Sequence, residues 1–198
     1  MNIKTKSHLL LHSVVAIFGF TGILGKLITI DALPLVFWRT TIGGIVILVW
    51  LAIRKKITKK SRSTVLKMSG VGLLVAAHWI LFFASIKMST VSVALVMVAT
   101  TPMFVGFIEP LVFRRKLDLK ELFVSAIVIA GVSTIFSISS EYQLGMILGL
   151  LSAFLAALFT TLNGVLVKEF DASNISMVEL LSASVGITLL LVFTGGMN

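Results

Sequence analysis

Seven apolar runs of about 20 residues follow one another along the chain, and no other feature restricts its fold so severely. They run roughly Leu9–Ile30, Leu33–Ile53, Val65–Ile86, Val91–Phe113, Leu119–Ile138, Leu144–Val167 and Ile175–Phe193. A helix rises about 1.5 Å per residue, so about 20 apolar residues cross a hydrocarbon core of about 30 Å. In lipid each run must satisfy its backbone within its own segment, which makes the runs helices. Composition agrees: 58% of residues are hydrophobic, 13% are charged, and mean hydropathy is +1.10. A soluble domain carries about 25% charged residues. The expected fold is an all-α integral membrane protein, a multi-span helical bundle. Lys4 and Lys6 precede the first run as in a signal peptide. That run exceeds the about 7–15 residues of a cleaved segment, and no A-x-A site follows, so it reads as a retained span.

The connectors predict orientation. The N-terminal tail, the second connector (Arg54 to Lys67), the fourth (Arg114, Arg115, Lys116, Lys120) and the sixth (Lys168) together hold fourteen cations, against Lys87 alone on the other side. Cations accumulate on the cytoplasmic side, so the N-terminus is expected to be cytoplasmic. The net charge of +9 is then a matter of topology, and nucleic-acid binding is not expected. The chain contains no Cys, which removes disulfides, thiolate nucleophiles and Cys-ligated metals. No H-E-x-x-H, G-x-S-x-G or Walker loop is present, so neither an enzyme nor a cofactor is expected.

A weak internal repeat accompanies the spans. AIFGFTGILGK (Ala16–Lys26) resembles AFLAALFTTLN (Ala153–Asn163) at an offset of 137 residues. The next span carries a charge near its start in both copies, Arg39 and Glu179. Five spans separate the copies, so the second would insert inverted, a recurrent plan of secondary carriers. The expected organisation is a first five-helix repeat over residues 1–142 and the first two helices of a second, inverted and incomplete repeat over 143–198.

Polar groups within spans mark candidate sites. His78 and the Thr100-Thr101-Pro102 triplet lie near mid-depth of spans three and four. Pro102 frees the carbonyl of Val98 and distorts its helix. Arg39, His78, Trp79, Thr100, Thr101 and Pro102 are therefore candidates for a substrate cavity. The competing readings are a packed kink whose threonines bond their own chain and a lipid-facing Trp79. Arg39 and Lys26 either bind an anionic group or snorkel to the interface. Glu109 either couples protons, as His78 could, or pairs with the Arg114-Arg115-Lys116 cluster. Glu179 faces the same choice. Gly19, Gly22, Gly25, Gly43 and Gly44 mark faces where helices can approach closely.

PLVFWRTTIGG, HWILFFASIKMSTVSVALVMVATTPMFVGFIEPLVFRRK and AIVIAGVSTIF together resemble the EamA family of the drug/metabolite transporter superfamily. Arg39, the Ser89-Thr90-Val91-Ser92 passage, Pro102, Arg114-Arg115-Lys116 and Gly131 occupy the places of the family pattern. The resemblance implies a ten-helix carrier of two inverted five-helix repeats in a bacterial cytoplasmic membrane, moving small metabolites, often outward. This sequence is expected to be truncated, because it ends in GGMN after the seventh span. The expected function is alternating-access transport of small metabolites such as amino acids or related compounds. Expected partners are a small-molecule substrate and the lipid bilayer, with a proton gradient and homodimer formation left open. The alternatives are a polyspecific drug exporter, for which Trp38, Trp79 and fourteen Phe would supply an aromatic pocket, and a non-transporting truncated subunit or remnant.

Overall fold

The computed structural model of the chain describes residues 3–138 and 140–194. The terminal Gly195-Gly196-Met197-Asn198 and the side chain of Lys4, both used above, lie outside the described residues. Among the described residues eight α-helices follow in order: α1 (Ile3–Leu27), α2 (Ala32–Ile53), α3 (Arg62–Met88), α4 (Val91–Val98), α5 (Thr101–Phe113), α6 (Leu119–Ile138), α7 (Gln143–Leu166) and α8 (Ala172–Thr194). Every apolar run has become a helix, and the fourth has become two, α4 and α5. Among the described residues, six spans are long and apolar enough to cross a membrane, with α4 and α5 together making one of them. The remaining run forms α6 over Leu119–Ile138.

Capping residues define several helix starts. Ser61 accepts the Thr64 amide ahead of α3 at 3.1 Å, and Thr90 accepts the Val93 amide ahead of α4 at 3.2 Å. Asp171 takes the amides of Ser173 and Asn174 at 3.0 and 3.2 Å as α8 begins. Each carboxylate or hydroxyl satisfies donors that the first helical turn leaves unpaired.

Helix α3 is the hub, packing against α7, α8, α2, α1 and α4. Half of its most apolar stretch is enclosed, against 12% for α1, so α1 is peripheral. Apolar side chains exposed along the bundle, Leu10, Ile42, Leu66 and Phe193 among them, face the hydrocarbon that takes the place of water.

Lipid gives helices no hydrophobic reason to associate, so close packing and polar contacts hold them. Gly72 on α3 lies so near the Glu179 backbone on α8 that no side chain fits between. Gly149 on α7 meets Met97 and Ser85 in the same way. Interhelical hydroxyl bonds join these faces: Ser85 Oγ donates to the Gly145 carbonyl at 2.7 Å, Thr41 and Ser184 meet at 2.6 Å, and Ser182 donates to Ser69 at 2.8 Å. Such bonds contribute about 0.6 kcal/mol each on average.

The basic connector after α2 is tied to the start of α8 through Asn174, which is 1% exposed. Its Oδ1 accepts from the Thr58 amide, the Thr58 hydroxyl and Lys60 Nζ at 2.9–3.1 Å, and its Nδ2 donates to the Lys56 carbonyl at 3.0 Å.

Candidate functional site

The break between α4 and α5 sits where Pro102 withholds an amide from the Val98 carbonyl. Thr101 Oγ1 donates to that carbonyl at 2.6 Å, and Thr100 Oγ1 donates to the Met97 carbonyl at 2.6 Å. Thr101 therefore repairs the carbonyl that Pro102 leaves free, the Met97 carbonyl also holds the Thr100 amide at 3.1 Å, and Thr100 is buried. Thr101 and Pro102 also open onto a groove.

This groove, of about 570 Å³, lies between α5, α6 and α7. Thr101, Pro102, Gly106 and Glu109 contribute from α5, Glu121 from α6 and Thr160 from α7. Its lining is mostly apolar, its charged residues are Glu109, Lys120 and Glu121, and Arg115 pairs with both glutamates from outside the lining. Arg115 Nη2 lies 3.2 Å from Glu109 Oε2 and 2.8 Å from Glu121 Oε1. The three side chains are 32–38% exposed, so solvent screens them. The turn after α5 sets this geometry. Arg114 takes the left-handed conformation at φ 53°, and the Arg115 amide bonds back to the Pro110 carbonyl at 3.1 Å. The chain reverses there and returns Arg115 toward Glu109. Hydrogen bonds to Glu121, opposed by partial desolvation and supplemented by Glu109, raise the Arg115 pKa above its ordinary value.

The other sequence candidates stand elsewhere. His78 is buried in the α3–α7 seam, its ring edge-on to Phe159 at 5.4 Å. Its Nδ1 lies 2.9 Å from both the carbonyl and the hydroxyl of Ser152, and the Ser152 hydroxyl donates to the His78 carbonyl at 3.0 Å. Arg39 lies on aromatic faces, its guanidinium carbon 4.9 Å from the Trp79 ring centre and 5.3 Å from that of Phe83. That is cation–π distance. Thr101, Pro102 and Glu109 thus share the groove wall. Arg39, His78, Trp79 and Thr100 do not line it.

Three residues that sequence reasoning passed over matter to this arrangement: Ser152, Glu121 and Asn163. Ser152 is one hydroxyl among many. Glu121 lies beyond a turn whose direction a left-handed arginine decides. Asn163 closed one copy of the repeat, and that was its only signal. Among the described residues, no three His, Asp or Glu side chains come together as a metal-binding group.

The model of the EamA-like transporter family matches residues 5–137 of the chain. An uncharacterized transporter of Archaeoglobus fulgidus is 27% identical over 184 residues, covering 87% of this chain and 62% of the relative. An uncharacterized transporter of Bacillus subtilis is 26% identical over 198 residues, covering 96% of this chain and 63% of the relative. The chain thus spans less than two thirds of the length of these two relatives. No solved structure matches it.

Proposed function

Because this chain belongs to the EamA-like transporter family, we propose that it acts in a membrane carrier that exports small metabolites by alternating access. The observation that carries the reading is the groove of about 570 Å³ beside the α4–α5 break. Irregular backbone at membrane depth is tolerated where it lines protein or a wet cavity, and carriers place their sites beside broken helices. A mostly apolar groove with a few charged residues suits a small amphipathic solute, whose polar end can meet Lys120 or the two glutamates.

Two repeats, over residues 1–142 and 143–198, fit this mechanism. Arg39 and Glu179 each fall seven residues after the first residue of their helices, Ala32 and Ala172. The helices of the second unit pack against α2 and α3 of the first, where rocking of one unit against the other would act. The basic connectors favour a cytoplasmic N-terminus, in a bacterial inner membrane. Membership of the family favours a carrier over an enzyme.

The test is mass-spectrometric profiling of the medium around cells with and without the protein, and with Gly106→Trp, which fills the groove. The expected result is a set of small metabolites enriched outside producing cells and not outside Gly106→Trp cells. Identical profiles in all three would overturn the reading.

A further inference from the structure

Asn163 Oδ1 and Glu179 Oε1 are the two buried side-chain atoms with no hydrogen-bond partner among the described residues, and they belong to one pair. Glu179 is 5% exposed. Its other oxygen, Oε2, accepts from Asn163 Nδ2 at 3.4 Å. Both orphaned atoms are acceptors, so the pair as an amide facing a carboxylate is one donor short. A protonated carboxyl has that donor, and the amide oxygen is the acceptor it needs. A single proton on Oε1 satisfies both orphans.

The surroundings favour the neutral form. Glu179 lies about 10 Å along α8 from its first residue. Helix α3 presents Gly72 to it, and the Glu179 backbone runs against that glycine too closely to admit water or a side chain. Helix α7 presents Asn163. No described cation pairs with Glu179. The charged and titratable groups on the elements packed around it are directed elsewhere: Arg62 and Lys67 at the start of α3 are exposed, His78 bonds Ser152, Lys87 bonds the Thr29 carbonyl, Lys168 after α7 lies 4.5 Å from the Phe113 ring centre, and Arg39 on α2 covers Trp79. A buried carboxylate without a cation is far costlier than the neutral acid.

We propose that Glu179 and Asn163 form a proton-binding site, in which Glu179 is a neutral acid at pH 7 and donates its proton to the Asn163 amide oxygen. Binding takes one proton from water onto Oε1. Release returns it to water and leaves a carboxylate with both acceptors unpaired. Thr160, one turn from Asn163 on α7, lines the groove, so the site adjoins the proposed solute path. Movement of this proton with a solute rests on the carrier reading; occupancy of the site does not.

Infrared spectroscopy of the protein in lipid nanodiscs tests the site without any substrate. At pH 7 in potassium chloride, the wild type should show the carbonyl stretch of a hydrogen-bonded carboxylic acid. Glu179→Gln should lose that band, and Asn163→Leu should shift it. Glutamine copies the shape and donor pattern of the protonated acid, so the Glu179→Gln protein should melt at or above the wild-type temperature. No band that depends on Glu179, or a Glu179→Gln protein that melts well below wild type, would overturn the proposal. So would a band that vanishes when sodium replaces potassium, since the site would then hold a metal cation. A protein that shows the band and moves no metabolite would refute the carrier reading and leave the proton site standing.

Discussion

His78 and Ser152 bond each other across the α3–α7 seam through side chains and backbone together, with Nδ1, a carbonyl and a hydroxyl all within 3.0 Å. The network assigns a proton to Nδ1, which donates to the Ser152 carbonyl. That geometry holds the imidazole parallel to the Phe82 ring and edge-on to Phe159. A double-mutant cycle over His78→Phe and Ser152→Ala should show a coupling of about 0.6 kcal/mol, with about 1.7 kcal/mol as the upper bound. Additive effects within about 0.3 kcal/mol would mean that the two residues do not act as a unit.

Arg115 stands between two carboxylates. Arg115→Gln leaves Glu109 and Glu121 without the cation between them, and the melting temperature should fall at low ionic strength. The deficit should shrink in about 1 M salt, where the screening length is about 3 Å. Combining Arg115→Glu with Glu121→Arg should recover part of the loss. A salt-independent deficit would point to the turn geometry instead of charge.

The N-terminus of α8 predicts an acid-sensitive step. The Asn174 side chain and amide, ahead of the Ser173 amide, hold the Asp171 carboxyl below its ordinary pKa. A group whose folded pKa is depressed adds stability that is present above its unfolded pKa and lost as pH falls through the folded one. Asp171→Asn keeps the cap and removes the titration. The wild type should therefore exceed the variant at pH 7, and the gap should close below about pH 4. Thermal melts of both proteins across that range decide it; a constant gap contradicts the assignment.

Two neighbouring glycines on α3 should respond oppositely. A methyl group at Gly72 would collide with the Glu179 backbone, whereas one at Gly70 meets nothing within 4 Å. Gly72→Ala should cost about 1–3 kcal/mol, the usual penalty of overpacking. Gly70→Ala should be tolerated. Equal melting temperatures would place the α3–α8 crossing elsewhere.

The sequence already displayed what depends on solvent and on local chemistry. Seven apolar runs became helices because lipid leaves the backbone no alternative, and Pro102 broke its helix because it lacks an amide. The Glu109 pairing with the basic cluster was legible as one of two readings, although which cation it meets depends on the left-handed turn at Arg114. Contacts between helices distant in sequence left little trace. Ser152 against His78 and Asn163 against Glu179 depend on which faces of α3, α7 and α8 meet. Glycine and serine select those faces by being small, a weak signal in a chain already rich in both.

The bend at Thr100 and Thr101 has a consequence for solvation. Backbone carbonyls released by a proline ordinarily need water or a neighbouring chain before they can remain in hydrocarbon. Here the Val98 carbonyl takes the Thr101 hydroxyl from its own helix at 2.6 Å, so the joint brings its own solvent. That carbonyl needs no imported water, and the apolar side of the groove can stay dry beside it.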